Sequence, residues 1–288
     1  MTITDSPRAL LIEGTGVTER RIEAAGMATA VLESGSGDDI VLLHGPGEFA
    51  ASWFEVLPAI AATHHVVAPD LPGHGESAIA ADLDARHVLE WLGDVIAATC
   101  SAPPIVVGRT LGGAIALRYC AEHADRIRRL VLVDAVGLVP FEPAPPFGAA
   151  LERYLAEPTA GSFERLMRYC AYDFDSLRLR LGDRFTALSE YAVDRLRAGA
   201  ALSATGTLME QFGFAAIPAA ELARIAVPTA MIWGRHDMAT ALRVAEDASR
   251  AYGWPLHVVD DAADDPALDQ PEAFVAALHA ALAHGVAR

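Results

Sequence analysis

Six short apolar runs constrain this chain most: IVLLHG (40–45), HVVAPD (65–70), PIVVG (104–108), LVLVDA (130–135), TAMIWG (229–234) and PLHVVDD (255–261). None alternates apolar with polar residues, so each predicts a strand covered on both faces. Between them, 83–100, 111–124 and 240–252 carry apolar residues at helical spacing. The segment after 270 opens with Pro271 and Glu272, which suit a first helical turn, and runs on as AFVAALHAAL. Strands alternating with helices predict an α/β fold with a doubly wound, mostly parallel sheet. TERRIEAAG and MATAVLES, within 17–34, predict an antiparallel pair at its edge.

The rhythm breaks once. From 136 to about 225 no buried-strand run occurs. A proline-rich exit, PFEPAPPFG, leads into amphipathic stretches such as AALERYLAE and FERLMRYCAYD. We therefore expect a core domain of 1–136 and 216–288, and a helical cap of 137–215 over the carboxyl ends of the strands, where open α/β sheets bind ligands. The 288 residues are 52% hydrophobic, enough for a large core without disulfide staples. A formal net charge of −16 argues against nucleic acid and anionic membranes as partners. Cys100, Cys120 and Cys170 are odd in number and lack metal or disulfide spacing, which points to a reducing compartment. No signal peptide is recognisable, and no uncharged apolar run reaches the ~18 residues of a membrane helix. The expectation is a cytoplasmic protein acting on a small molecule, with no cofactor and no metal, as a monomer or homo-oligomer.

The chemistry centres on VVGRTLGGAIAL (106–117), an apolar run that ends in Gly108, with Thr110 between close glycines and a helix-like run after it. With LLHGPG, APDLPGHGES, LVDAVGL, WGRHD and LDQPEAF, in that order, the chain resembles the cap-bearing α/β-hydrolase superfamily over nearly all residues after 25. The resemblance implies a nucleophile on a sharp strand-to-helix elbow, an acid, a histidine, and two backbone N–H groups forming an oxyanion hole. Position by position, the elbow falls on Gly108-Arg109-Thr110-Leu111-Gly112, with Thr110 at the nucleophile. The acid falls on Asp237, and the histidine position, counted back from Pro266, falls on Asp264. The oxyanion loop falls on His44-Gly45-Pro46-Gly47. Its donor position is then a proline, which has no N–H, leaving Leu111 N–H as the second donor. Asp134 matches an alternative acid position of some relatives, and Glu48 follows the oxyanion loop closely enough to enter a pocket.

Each departure weakens acyl transfer. The branch of Thr110 crowds a strained turn, and without a histidine no base of pKa near 7 serves it. Asp237 and Asp264, brought together by the fold, make a carboxylate pair in which one pKa rises. Such a pair suits non-covalent acid–base chemistry: cyclisation, dehydration, isomerisation or lyase reactions on a small apolar oxygenated metabolite. Two alternatives stay open: a true hydrolase of an ester, lactone, epoxide or C–C bond using Thr110, and a non-catalytic ligand-binding protein. Several of these residues also suit purely structural roles. Thr110 is as easily a pocket-lining hydrogen-bonder. Arg109 reads more readily as a surface ion-pair partner than as a contact for an anionic substrate. Asp265 reads as a solvated residue of an acidic run, Asp237 also as a helix cap, His44 and His74 as structural hydrogen-bonders, and Tyr154, Tyr169, Tyr172, Phe174 and Met209 as cap core.

Overall fold

The computed structural model describes residues 6–283. The apolar runs form the centre of one eight-stranded sheet: β1 Thr18–Ala24, β2 Met27–Ser34, β3 Asp38–Leu43, β4 His64–Pro69, β5 Ile105–Arg109, β6 Arg129–Val133, β7 Thr229–Gly234 and β8 Leu256–Val259. Their order is β1-β2-β4-β3-β5-β6-β7-β8. β3 to β8 run parallel, whereas β1 pairs antiparallel with β2, and β2 antiparallel with β4. Every residue of β5 and β7 is buried, which explains why their sequences lack polar alternation. Two apolar clusters follow, one on each face. Trp91, Leu92 and Leu117 lie on one side of the sheet, and Trp53, Phe274 and Leu278 on the other.

The helices predicted at 83–100, 111–124 and 240–252 are Ala85–Thr99, Leu111–Glu122 and Leu242–Tyr252, and Pro271–Ala283 closes the fold. Between β6 and β7 stand the helices Pro145–Ala156, Ala160–Cys170, Phe174–Leu181, Asp183–Arg197 and Ala200–Leu208. The last widens at Met209–Gly213, where Phe214 N–H donates to Met209 O, five residues back, at 2.8 Å. This helical cap turns apolar faces at three- and four-residue spacing toward the carboxyl ends of the strands: Phe147, Leu151 and Tyr154 from one helix, Phe163, Leu166, Met167 and Cys170 from the next, and Leu188, Ala192 and Leu196 from a third. The short helix Pro7–Ile12, opened by a Ser6 cap, packs on Asp183–Arg197. It ties the N-terminal segment to the cap.

Candidate active site

Because β3 to β8 are parallel, the residues just beyond β3, β5, β6, β7 and β8 emerge at one end of the sheet. A cavity of about 250 Å³ lies there under the cap, lined by Pro46, Glu48, Arg109, Thr110, Asp264 and Asp265 at its floor and by the apolar cap faces above.

Thr110 is the single residue between β5 and the helix Leu111–Glu122, with φ 43° and ψ −108°. Positive φ at a β-branched residue is costly, on the order of 1–3 kcal/mol. The surroundings hold it there: Thr110 N–H donates to Val133 O at 2.9 Å, and its carbonyl accepts from Gly113 and Ala114. A side chain at Gly112 would meet Leu43 O at 2.5 Å, so the helix lies directly on β3. Gly45 is as confined, since a Cβ there would stand 2.4 Å from Thr110 Oγ1 and 2.9 Å from Glu48 Oε2. The threonine hydroxyl and the Glu48 carboxylate thus converge on one point of the loop after β3. Thr110 Oγ1 is buried and has no hydrogen-bond partner.

That loop is internally satisfied. His44 donates from Nδ1 to Gly45 O at 2.8 Å and accepts Leu71 N–H on Nε2 at 2.9 Å. Burial, then the neighbouring His74, drives its pKa well below the usual imidazole value, so it is a neutral brace. His74 is fixed likewise between Pro72 O and Thr205 Oγ1 of the cap, and burial lowers it to about 4. Gly45 N–H donates to Glu48 Oε2 at 2.8 Å, while Pro46 faces the cavity without a donor. Leu111 is fully buried and opens its helix, where an N–H has no partner within the helix.

Arg109 overturns the expectation of a surface ion pair. It is 3% exposed, lies over the Trp53 ring at 5.5 Å, and pairs with both Glu48 and Asp265. Asp265 is likewise buried rather than solvated. One of its oxygens meets Arg109, and the other caps the turn Pro266–Asp269 through Leu268 N–H at 3.1 Å. Asp265 lies within an acidic run that reads as surface, and only the return of the chain beneath the cap buries it.

Three carboxyl groups meet behind this wall. Asp134, at φ 44° just past β6, is fully buried and accepts Gly234 N–H on Oδ1 at 2.9 Å. Asp237 accepts Ala239 and Thr240 N–H on Oδ1 at 2.7 and 2.9 Å, so it caps a turn as well as facing its neighbours. Asp134 Oδ2 and Asp237 Oδ2 have no donor. Their side chains meet each other, so they hydrogen-bond only when one holds a proton. Burial, then the charge of Asp237, raises Asp134 well above the carboxylate range, and burial, then Asp264, does the same to Asp237. Asp264 alone of the three faces the cavity. Burial raises it, Arg109 opposes and Glu48 assists, leaving it at about 6. The Cys170 thiol of the cap lies against it, kept protonated by burial and by the Asp264 charge. No sequence signal marked Cys170. Of the residues expected as cap core, Tyr154 and Met209 line the cavity, Phe174 is cap core, and Tyr172 is half exposed, its ring 4.7 Å from that of His236. Among the described residues, no group of three His, Cys, Asp or Glu side chains is arranged to hold a metal ion.

The profile of the Alpha/beta hydrolase family matches residues 40–277. The chain belongs to this family. It is 30% identical over 257 residues to the pimeloyl-[acyl-carrier protein] methyl ester esterase of Neisseria meningitidis, covering 86% of this chain and 77% of that one. It is 32% identical over 253 residues to the 2-hydroxymuconate semialdehyde hydrolase of a Pseudomonas species, covering 83% and 84%. Among solved structures, the 2-hydroxy-6-oxo-6-phenylhexa-2,4-dienoate hydrolase of Rhodococcus superimposes with a TM-score of 0.76 at 25% identity, covering 92% of this chain and 98% of that one. A bacterial membrane phospholipase A shares the fold, with a TM-score of 0.81 at 24% identity over 96% and 88%. Among the described residues, no helix is long and apolar enough to cross a membrane.

Proposed function

We propose that this family member performs non-covalent acid–base chemistry on a small, largely apolar, oxygenated substrate, with Asp264 as the group that moves the proton. One observation carries this reading: a carboxyl with a pKa of about 6 stands at the cavity wall, backed by Asp237 and Asp134, at the position where the family's histidine is expected. A carboxyl so tuned exchanges protons near neutral pH, and such help contributes about 10²–10⁴ in rate. Asp237 and Asp134 act as positioning groups. Once they hold a proton between them, they add less negative charge behind Asp264 than two ionised carboxylates would. Thr110 offers a hydroxyl that is hydrogen-bonded to no base, since Glu48 is held by Arg109 and Gly45 N–H, and it acts as a hydrogen-bond donor to a substrate oxygen. The loop donor lost at Pro46 supports the same view, because a tetrahedral oxyanion would lack half its hole.

The reactions within reach begin by taking a proton next to a carbonyl or handing one to a leaving oxygen. The relatives are a methyl ester esterase and a semialdehyde hydrolase by name, so hydrolysis through Thr110 is the competing reading. The two are separated by incubating the protein in D2O with simple methyl ketones and following deuterium entry next to the carbonyl by NMR. Exchange should rise as pH passes about 6, where Asp264 ionises, vanish in Asp264→Asn and persist in Thr110→Ala. No exchange, together with activated-ester turnover that Thr110→Ala abolishes, would overturn the proposal in favour of the hydrolase.

A further inference from the structure

Two features of the cavity bear on what enters it, and neither depends on the reaction. The first is charge. Arg109 is the single cation among the described lining residues, and its guanidinium is neutralised from within by Glu48 and Asp265. Asp264 adds a third carboxyl to the same wall. An incoming carboxylate would find both Arg109 Nη groups already paired, only a buried Nε without a partner, and like charge around it, in an apolar enclosure that strengthens the repulsion. The second feature is an orphan. Tyr154, on the cap helix Pro145–Ala156, is 6% exposed, and its hydroxyl has no hydrogen-bond partner. Its ring is wedged edge-on against Phe163 at 5.6 Å, which fixes its direction, and burial keeps the phenol protonated and therefore a donor. Buried tyrosine hydroxyls normally find a partner. The cap faces around this one are apolar, and both the residue and its helix neighbour Leu151 line the cavity.

We infer that the cavity takes an uncharged substrate bearing a second hydrogen-bond-accepting oxygen, which Tyr154 Oη binds from the cap while the first lies over Thr110 and Asp264. Selection of neutral ligands follows from the closed Arg109 ion triplet, and recognition of the second oxygen from the orphaned hydroxyl. The inference takes from the proposed function only that this cavity is the substrate site.

Binding measurements test it without turnover. Isothermal titration of the whole protein would compare linear diketones of graded length with monoketones and keto acids of equal length. The best-fitting diketone should bind about threefold to tenfold tighter than its monoketone, the gain of one neutral hydrogen bond. Tyr154→Phe should erase that ratio and leave monoketone affinity in place. Its melting temperature should not fall, because the deleted hydroxyl has no partner to lose. The keto acid should bind about tenfold or more weaker than the diketone, and Glu48→Gln should recover several-fold of that loss by freeing Arg109. Asp264→Asn should abolish exchange yet keep the diketone preference, so failure of the acid–base reading leaves this result standing. A diketone preference unchanged in Tyr154→Phe, or keto acids bound by the wild type as tightly as diketones, would overturn the inference.

Discussion

Two sets of buried carboxyls sit at the same end of this sheet, and they are furnished differently. Asp70, just past β4, is fully buried but surrounded by donors: Arg8 at 3.0 Å, Ala50 N–H at 2.6 Å and Glu76 N–H at 2.9 Å. Asp134 and Asp237, past β6 and β7, are buried too, Asp134 as fully as Asp70, yet each keeps an oxygen with no donor and neither has a cation of its own. Burial raises the pKa in all three, but only at Asp70 does an arginine in direct contact oppose it. Asp70 is thus built as an anion that braces the Pro7–Ile12 helix, the loop at Ala50 and, through Tyr191, the cap. The other pair is built to hold a proton. The fold itself requires no such arrangement, so the under-satisfied set is where chemistry is to be sought.

The comparison breaks most sharply at its functional end. Asp264→Asn keeps the shape of the side chain and removes the titrating group. Deuterium exchange should fall about 10²–10⁴-fold, in rate more than in affinity. A loss below tenfold would put Asp264 with the structural carboxyls. The mirror experiment strikes Asp70's partner. Arg8→Met leaves the stem but strands a buried anion, which should lower unfolding stability at pH ~8 by about 3–5 kcal/mol in urea titration. Because Asp70 must then protonate on folding, its folded pKa rises further above the unfolded value. The stability deficit should shrink as pH falls toward the carboxylate range. A deficit independent of pH would mean that packing, and not charge pairing, explains the Arg8 contribution.

The two sets were also unequally legible in the sequence. Strand order along the chain, the helices that follow β5 and β7, and the cap were readable because periodicity reports burial directly. Thr110, Asp237 and Asp264 were reachable by position, since motif spacing carries a residue to the end of a strand. What spacing does not carry is pairing across the chain. Arg109 meets Glu48 and Asp265, which stand 61 residues before it and 156 after it in sequence, and no local pattern announces that. Arg8 and Asp70 are hidden for the same reason. Asp265 was misread because an acidic run looks solvated, although Pro266 after it offered the signal of a helix cap. Cys170 sits at an ordinary apolar position of an amphipathic helix, and only the fold turns it toward Asp264.

Thr110 sharpens the contrast at a smaller scale. Thr110→Val retains the β-branch, and so the strained corner, while deleting the hydroxyl. If Thr110 only donates a hydrogen bond to substrate, the exchange rate should drop by about threefold to tenfold, the net value of a neutral hydrogen bond. Thr110→Ser should restore wild-type rates. A collapse of several orders of magnitude in Thr110→Val, with acyl-enzyme trapped in wild type and not in the variant, would instead make the hydroxyl a nucleophile.

The smallest expected effect tests the shared proton itself. The folded pKa of Asp237 lies above the 3.8 of a free carboxyl, so from about pH 4 upward the folded protein holds a proton that the unfolded chain has released. Stability from this site is therefore fully present on the acid side and lost as pH rises through the folded value. Asp237→Asn does not titrate there. Its amide oxygen still accepts from Ala239 and Thr240, and its amide N–H supplies Asp134 Oδ2 with the donor it lacks. The melting temperature of Asp237→Asn should thus fall less than that of wild type between pH ~5 and ~8, separating by about 2–4 °C for each kcal/mol recovered. The same exchange at Asp70, Asp70→Asn, should do the reverse and lower the melting temperature at pH ~8, since it puts an amide N–H where the side chain must accept from Arg8, Ala50 and Glu76. Parallel melting curves for wild type and Asp237→Asn would show that Asp134 and Asp237 share no proton, and the distinction between the two buried sets would then rest on Asp264 alone.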